Sequence, residues 1–412
     1  MTHLGVCTAV AAAENGHEVV CLDPSPTRID ALTLGLFDPA EPEIGELLKD
    51  NRLGLIWTSD STELLSCQLV VVAVDTVLQS DGLNDQTEVR DLFRLADRTV
   101  SEEVPIVIMS QVEPGFTRSL GSRKNIFYIM ETLIFGRGLE RARYPERLTV
   151  GSSTPRTPLP DPLLWYLEDF RCPVLVMSFE SAELCKLAAN YVLAATLTAS
   201  NTLAQVAEKT RANWSDIEES LRFDERIGAN AYISAGPGIG GSNIPRDVLG
   251  IRDIEHNTGL SSDFSTAILR ESEYARSWTI RKITDLLAQS PSPVLAILGT
   301  SYKAGTQVSR GGVSRLVAET FAGVHEIVAF DPESAPLPSH INPQVEIVRS
   351  ASMALAKADI VLLGNRHPEL VASIQDLSSQ LGHAYVIDPY RALDRNRFEH
   401  PDRVLQFGVG GE

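Results

Sequence analysis

From position 181 to 210 the sequence runs without a single glycine or proline and is rich in alanine and leucine. Glycine costs a helix interior about 1 kcal/mol and proline about 3 kcal/mol relative to alanine, so a stretch free of both predicts one continuous helix. Leu184, Leu187, Tyr191, Ala195 and Thr198 follow helical spacing along it. Such a helix divides the chain, and both flanks read as α/β. Before it, residues 19–22, 69–74 and 106–110 are apolar runs of strand length, and 174–177 form another. They are continuous rather than alternating, the pattern of parallel strands covered on both faces. Residues 8–15 read as a helix ended by Gly16. After the long helix a second is expected near Ser215, where Ser215 and Glu218 make a capping-box pattern. A glycine-rich loop occupies 236–242, helical pattern resumes over about 264–289, and Pro291 and Pro293 mark a boundary. Residues 294–298, 327–330, 359–363 and 385–387 then read as strands separated by helices.

Charge and cysteine content limit the partners. The chain has 412 residues, with 36 Lys and Arg against 54 Asp and Glu, a net charge of −18. Such a surface repels nucleic acid and anionic membranes, so a phosphate ligand must be held by a few local cations. No apolar run approaches the roughly 20 residues of a membrane-spanning helix. The opening MTHLGVC lacks the basic and apolar regions of a signal peptide. A cytoplasmic protein with neither nucleic-acid nor membrane partners is expected. Cys7, Cys21, Cys67, Cys172 and Cys185 are odd in number and show no C-x-x-C pair. That argues against a disulfide framework and against a zinc site.

Gly5, then a helix, then Asp23 at the end of a strand run form the back half of a G-x-G-x-x-G dinucleotide fingerprint. Its third glycine allows close helix–strand packing, and an acidic residue about 20 positions on binds the ribose 2′-OH. Asp23 with no Arg directly after it favours NAD over NADP, although Asp23-Pro24 also reads as a plain turn. Thr2 stands at the second-glycine position, and the strand that opens the fingerprint is missing before Gly5. A central strand buries about three large apolar side chains at roughly 1.5–3 kcal/mol each. A whole domain is stable by only about 5–15 kcal/mol. A misplaced start or an N-terminally shortened chain is therefore expected, with Asp23 kept for NAD. The expected fold class is α/β: two Rossmann-like parallel-sheet domains joined by the long central helix and a helical connector. The boundaries are 1–180, 181–290 and 291–412, for an NAD-binding, a central helical and a nucleotide-sugar-binding domain.

The long helix carries Ala182-Glu183-Leu184-Cys185-Lys186-Leu187-Ala188-Ala189-Asn190. Lys186 and Asn190 are one helical turn apart and share a face. An ammonium beside an amide suits a developing oxyanion, yet the pair alone would also read as a solvated face. The loop region Gly236-Pro237-Gly238-Ile239-Gly240-Gly241-Ser242-Asn243-Ile244-Pro245-Arg246-Asp247 is more specific. These stretches resemble the A-E-L-x-K-x-x-x-N and G-P-G-Y-G-G-S-C-F-P-K-D patterns of the UDP-glucose/GDP-mannose dehydrogenase family. Gly299-Thr300-Ser301-Tyr302-Lys303 resembles the family's G-x-x-F-K, and Arg226-Ile227-Gly228 its R-I-G. Glu41-Pro42 with Leu47 resembles E-P-G-L-x-E-L. Arg310 falls at the Arg of R-E-S, but Gly311 and Gly312 follow it. The resemblance implies NAD as cofactor, a nucleotide-sugar substrate and a homodimer in which Arg226 reaches the neighbouring subunit's substrate. It places Lys186, Asn190, Asp247, Glu131 and position 243 in catalysis. Gly5, Asp23, Arg28, Thr76, Arg246 and Arg310 would contact the cofactor, and Arg226, Gly238, Ile239, Gly240, Gly241 and Lys303 the substrate.

The departures fall on the chemistry. Members of the family oxidise an alcohol twice, through a cysteine thiohemiacetal and a thioester. Asn243 stands at that cysteine's position, and an amide is not a nucleophile. Gln111 replaces a Thr that helps position water, and Phe135 replaces a second catalytic Glu. The expected function is an NAD-dependent oxidoreductase taking a UDP- or GDP-sugar through one two-electron step. The alternative is a catalytically inactive nucleotide-sugar-binding homologue or partner subunit.

Overall fold

The computed structural model describes residues 1–37, 41, 43–49, 53–78, 84–134, 136–241, 243–288 and 293–410. The chain forms two compact units, Met1–Ala189 and Asn190–Glu412.

In the first unit, helix α1 (His3–Glu14) begins earlier than the expected 8–15. Gly5, expected to allow close helix–strand packing, lies within this helix. A side chain at position 5 would come within 2.7 Å of the Ala73 carbonyl oxygen, so glycine is what lets α1 lie against the strand end. Gly16 ends the helix at φ +94°, as expected. Strands β1 (Val20–Leu22) and β2 (Ile56–Thr58) pair in parallel. A five-stranded sheet holds β3 (Val70–Val72), β4 (Ile106–Ile108), β5 (Ile126–Ile129), β6 (Leu148–Ser152) and β7 (Val174–Ser178), in that order. The expectation of parallel pairing fails at one place, because β5 and β6 run antiparallel. Among the described residues no strand joins β1 to β3.

Alternate residues of these strands feed two apolar clusters. Val70, Val72, Ile106, Ile108 and Tyr128 pack with Val89, Phe93 and Ala96 of helix Thr87–Thr99. Val107, Phe127, Ile129 and Val150 pack with Leu4 and Ala12 of α1 and with Leu163 and Leu167. Both faces of β3, β4 and β5 are therefore covered, which is why β3 (VVV), β4 (IVI) and β5 (IFYI) are apolar throughout.

The long helix α2 (Phe179–Lys209) matches the expected 181–210, and the boundary between the units falls within it. Helix α3 (Trp214–Arg222) starts as expected but is capped differently. The side chain of Asn213, one residue before it, accepts from Ser215 N at 3.0 Å. Glu218 is drawn instead to Ser234, Arg222 and Arg391. Helix α4 (Asn243–Thr258) was not anticipated. Its Pro245 lies in the first turn, where a missing N–H costs nothing. Helix α5 (Asp263–Leu287) follows.

The second unit closes with six parallel strands: β8 (Val294–Leu298), β9 (Glu326–Phe330), β10 (Glu346–Ile347), β11 (Ile360–Leu363), β12 (Tyr385–Asp388) and β13 (Val404–Gln406). Their order is β10-β9-β8-β11-β12-β13. The winding reverses between β8 and β11, and open α/β sheets bind ligands beyond the carboxyl ends at such a point. The loops that begin at Gly299 and Gly364 lie there.

Candidate active site

In the first unit, Asp23 follows β1 and is buried, at 2% exposure. Its Oδ1 accepts from Ser25 N at 2.8 Å and its Oδ2 from Arg28 at 2.9 Å. The terminal ammonium of Met1 also donates to it. Burial alone would raise its pKa, but these donors hold the carboxyl below its usual range. Gly5 pressed against a strand end, and a carboxylate at the end of β1, fit the adenosine half of NAD. The Thr76 hydroxyl, in the loop after β3, donates to Asn84 at 3.1 Å.

Lys186 Nζ lies 2.6 Å from Glu131 Oε1, and both side chains are largely buried. The other carboxylate oxygen of Glu131 accepts from Leu133 N at 3.0 Å. Gln111 is buried at the start of a loop that Glu183 fastens. Glu183 is fully buried and accepts from Gly115 N at 2.5 Å and Thr117 N at 2.8 Å. Burial pushes its carboxyl pKa up, against the pull of those donors. Glu41 is anchored in a similar way, accepting from Gly136 N at 2.8 Å and Gly138 N at 3.0 Å. Phe135, Pro42 and Ser242 lie outside the described residues.

In the second unit, Asn190 donates to Asp247 Oδ2 at 2.5 Å, and Arg246 Nε donates to Oδ1 at 2.9 Å. Asp247 is fully buried. The first turns of α4 carry Asn243, Arg246 and Asp247, with Asn243 exposed at the helix start.

The loop 236–241 is fastened from beneath. Asn201 of α2 accepts from Gly236 N at 2.8 Å, and Ser272 of α5 accepts from Ile239 N at 2.8 Å. Arg276 of α5 donates to the Ile239 carbonyl at 2.6 Å. The Ile239 side chain, expected at the substrate, is buried with Ala194, Leu197, Val248 and Ile268. Any ligand contact there must come from backbone or from the neighbouring glycines. A side chain at Gly241 would lie 3.1 Å from the Tyr302 ring. One at Gly311, where φ is +77°, would fall 2.7 Å from Gly241 N. Two loops recognised separately in the sequence thus touch. The departure from R-E-S at position 311 has a steric reason, because only glycine fits there. Lys303 sits over the Tyr302 ring at 5.5 Å. Arg310 is exposed, and Arg226, 89% exposed, pairs with Asp224 at 2.6 Å.

Sequence reasoning missed Glu183, Asn201, Ser272 and Arg276 as fasteners. Glu183 carried one usable signal, a carboxylate between Ala182 and Leu184 on an apolar helix. Among the described residues no cluster of His, Cys, Asp and Glu could hold a metal, and no helix is long and apolar enough to cross a membrane.

Residues 1–157 match the NAD binding domain of the UDP-glucose/GDP-mannose dehydrogenase family, 180–273 its central domain and 296–395 its UDP binding domain. The chain is 26% identical over 377 residues to the UDP-glucose 6-dehydrogenase YwqF of Bacillus subtilis, covering 88% of this chain and 85% of that one. It is 27% identical over 348 residues to a UDP-glucose 6-dehydrogenase of Rickettsia felis, covering 80% and 76%. In fold it resembles a UDP-glucose dehydrogenase of the archaeon Pyrobaculum islandicum, with TM-score 0.83, 24% identity and 99% and 95% of the chains covered. It also resembles a UDP-D-ManNAc dehydrogenase of Pyrococcus horikoshii, with TM-score 0.81, 20% identity and 98% and 97% covered. From three domains matched in order, this chain belongs to the UDP-glucose/GDP-mannose dehydrogenase family.

Proposed function

We propose that this protein is an NAD-dependent oxidoreductase that takes a UDP- or GDP-sugar through a single two-electron step at a carbinol carbon. The observation that carries this reading is Asn243, exposed at the start of α4 where the family's nucleophile belongs. The polar groups that the resemblance places in catalysis are kept. Asp247 is fixed by Asn190 and Arg246, and Lys186 by Glu131. Oxidation of an alcohol breaks a C–H bond, whose electron pair leaves as hydride, and an O–H bond, whose proton passes to water. Bound NAD, on Gly5, Asp23 and Arg28, supplies the hydride acceptor. Lys186 and Asn190, one turn apart on α2, donate to the oxygen as its negative charge grows. Asp247 holds the Asn190 amide in its donating orientation. The carbonyl product then leaves, because an amide at position 243 forms no thiohemiacetal and no thioester. Lys303, with the glycines of 236–241, grips the nucleotide diphosphate on an otherwise acidic protein. The assembly is a homodimer, in which the exposed Arg226 reaches the partner's substrate.

The test is incubation with NAD and a panel of UDP- and GDP-hexoses, with products read by mass. One NADH per sugar with an aldehyde or ketone is expected. A uronic acid with two NADH per sugar would overturn the reading. Measurable sugar-nucleotide binding without turnover would establish the alternative, an inactive binding homologue or partner subunit.

A further inference from the structure

We infer that Asn201 and Ser272 are positioning residues for nucleotide-sugar binding, acting through the loop 236–241 and not through contact with the ligand. The inference rests on the nucleotide-sugar reading above, and its physical basis stands apart from that reading. A loop with four glycines in six residues has little to hold its own backbone still. Glycine gives up more conformational freedom on ordering than any other residue. A loop left free would lose that entropy each time a ligand bound, and affinity would fall accordingly.

The structure meets this cost in advance with polar side chains from two helices. Asn201 lies on α2 and is 2% exposed, and its Oδ1 takes the amide hydrogen of Gly236, the loop's first residue. Ser272 lies on α5 and is 4% exposed, and its Oγ takes the amide hydrogen of Ile239, the loop's middle residue. Arg276, one turn further along α5, binds the carbonyl of the same Ile239. Ile239 is therefore held at both backbone groups, and its side chain is locked into the apolar cluster with Val248 and Ile268. At the loop's root, Arg391 donates to the Ala235 carbonyl at 2.9 Å. Both acceptors, Asn201 and Ser272, are buried beneath the backbone they hold. They can therefore influence a ligand above the loop only by fixing that backbone. Polar side chains on the buried faces of long helices need a reason, because an unmatched hydroxyl or amide there is costly. Holding this loop supplies that reason for the Ser272 hydroxyl and for the Asn201 Oδ1, while the Asn201 Nδ2 has no hydrogen-bond partner among the described residues.

The test uses the full chain with Ser272→Ala, Asn201→Leu and Asn201→Asp. Asn201→Asp keeps the acceptor oxygen and serves as the conservative rescue. Two quantities are read. The first is amide hydrogen exchange at Gly236 and Ile239 without ligand, with the β8 amides as internal reference. The second is UDP-glucose and GDP-mannose affinity by calorimetry. Ser272→Ala should speed exchange at Ile239 about tenfold and Asn201→Leu should do the same at Gly236, since one net hydrogen bond is worth about that factor. β8 should stay unchanged. Affinity should fall about tenfold in both variants and return with Asn201→Asp. Unchanged loop exchange would overturn the inference outright. So would faster exchange with unaltered affinity, because the loop's order would then be irrelevant to the ligand. If the native protein bound neither nucleotide sugar, the functional reading would fail, while the exchange data would still decide whether these side chains order the loop.

Discussion

Gly238→Ala should be far more damaging than the same change at Gly236 or Gly240 of its loop. Gly238 has φ +77°, a left-handed conformation that costs a residue with a Cβ about 1–2 kcal/mol. The added Cβ would also sit 2.4 Å from the Ser272 carbonyl oxygen, on the backbone of α5. It must retreat by about 0.6 Å to reach even the 3.0 Å limit of real contacts. Overpacking of this kind costs about 1–3 kcal/mol. The two effects together come to about 2–5 kcal/mol, or roughly 5–15 °C in melting temperature for a unit of this size. Gly236→Ala is the internal control. Its Cβ would meet nothing nearer than the Pro389 oxygen at 3.8 Å, and its φ lies outside the left-handed region. Gly240→Ala would make ordinary contacts at 3.6 Å with Gly311 and Tyr302. Both controls should melt within a few degrees of the native chain, since an Ala that fits its site changes stability by about 1 kcal/mol or less. The assay is thermal unfolding of the three full-length variants side by side. Three equal melting temperatures would refute the argument that close approach to α5 dictates glycine at 238.

Gly311→Glu, which restores the residue of the R-E-S pattern, should lower the urea midpoint by an amount equivalent to about 2–5 kcal/mol, because the side chain would start 2.7 Å from Gly241 N at positive φ. An unchanged midpoint would mean that the two loops are not in contact. Glu131→Gln should cost about 1–3 kcal/mol in the same assay by leaving the buried Lys186 ammonium without its carboxylate, and an unaffected midpoint would dismiss the pair. Glu218→Gln should be destabilising in a pH-dependent way. Burial opposes ionisation of Glu218, but Ser234, Arg222 and Arg391 together hold its pKa below the usual value. A lowered pKa gives stability that is present above the unfolded value of about 4.3 and is lost as pH falls through the folded one. The midpoint gap between Glu218→Gln and the native chain should thus be widest near neutrality and close below about pH 4, and a pH-independent gap would count against the assignment.

The parts of the fold that were legible in the sequence are those with local signals. The long helix announced itself by what it lacks, and the buried strands by unbroken apolar runs. β5 and β6 escaped notice because 126–129 is a short run and 148–152 mixes Leu and Val with Thr, Gly and Ser. Their antiparallel pairing is a property of the sheet, with no counterpart in either segment alone. Helix α4 was hidden because its first residues continue a glycine and proline loop, and Pro245 reads as a breaker until it is seen to lie in the first turn. The cap of α3 shows a different limit. Ser215 and Glu218 match the capping box in spacing, but Glu218 finds two arginines and a serine brought in by the tertiary fold. Asn213 caps the helix in its place.

The same division runs through the site. Lys186, Asn190 and Asp247 could be singled out from pattern, since they stand within motifs of contiguous sequence. The fastening roles of Asn201, Ser272 and Arg276, and that of Glu183 although it lies in a motif, could not be read there, because each serves backbone that lies tens of residues away in the chain. Glu183 reaches back to Gly115 and Thr117, and Ser272 and Arg276 reach back to Ile239. Gly311 joins the two kinds of information. In the sequence it is a break in R-E-S, which makes the match to that segment looser. In the structure it is the only residue type that lets the loop carrying Tyr302 and Lys303 meet the backbone of Gly241. A departure from a family pattern can therefore mark a replaced contact as readily as a lost one, and the distinction rests on whether the space vacated is filled. At 311 it is filled by the Gly241 backbone, and Gly311→Glu tests that reading directly.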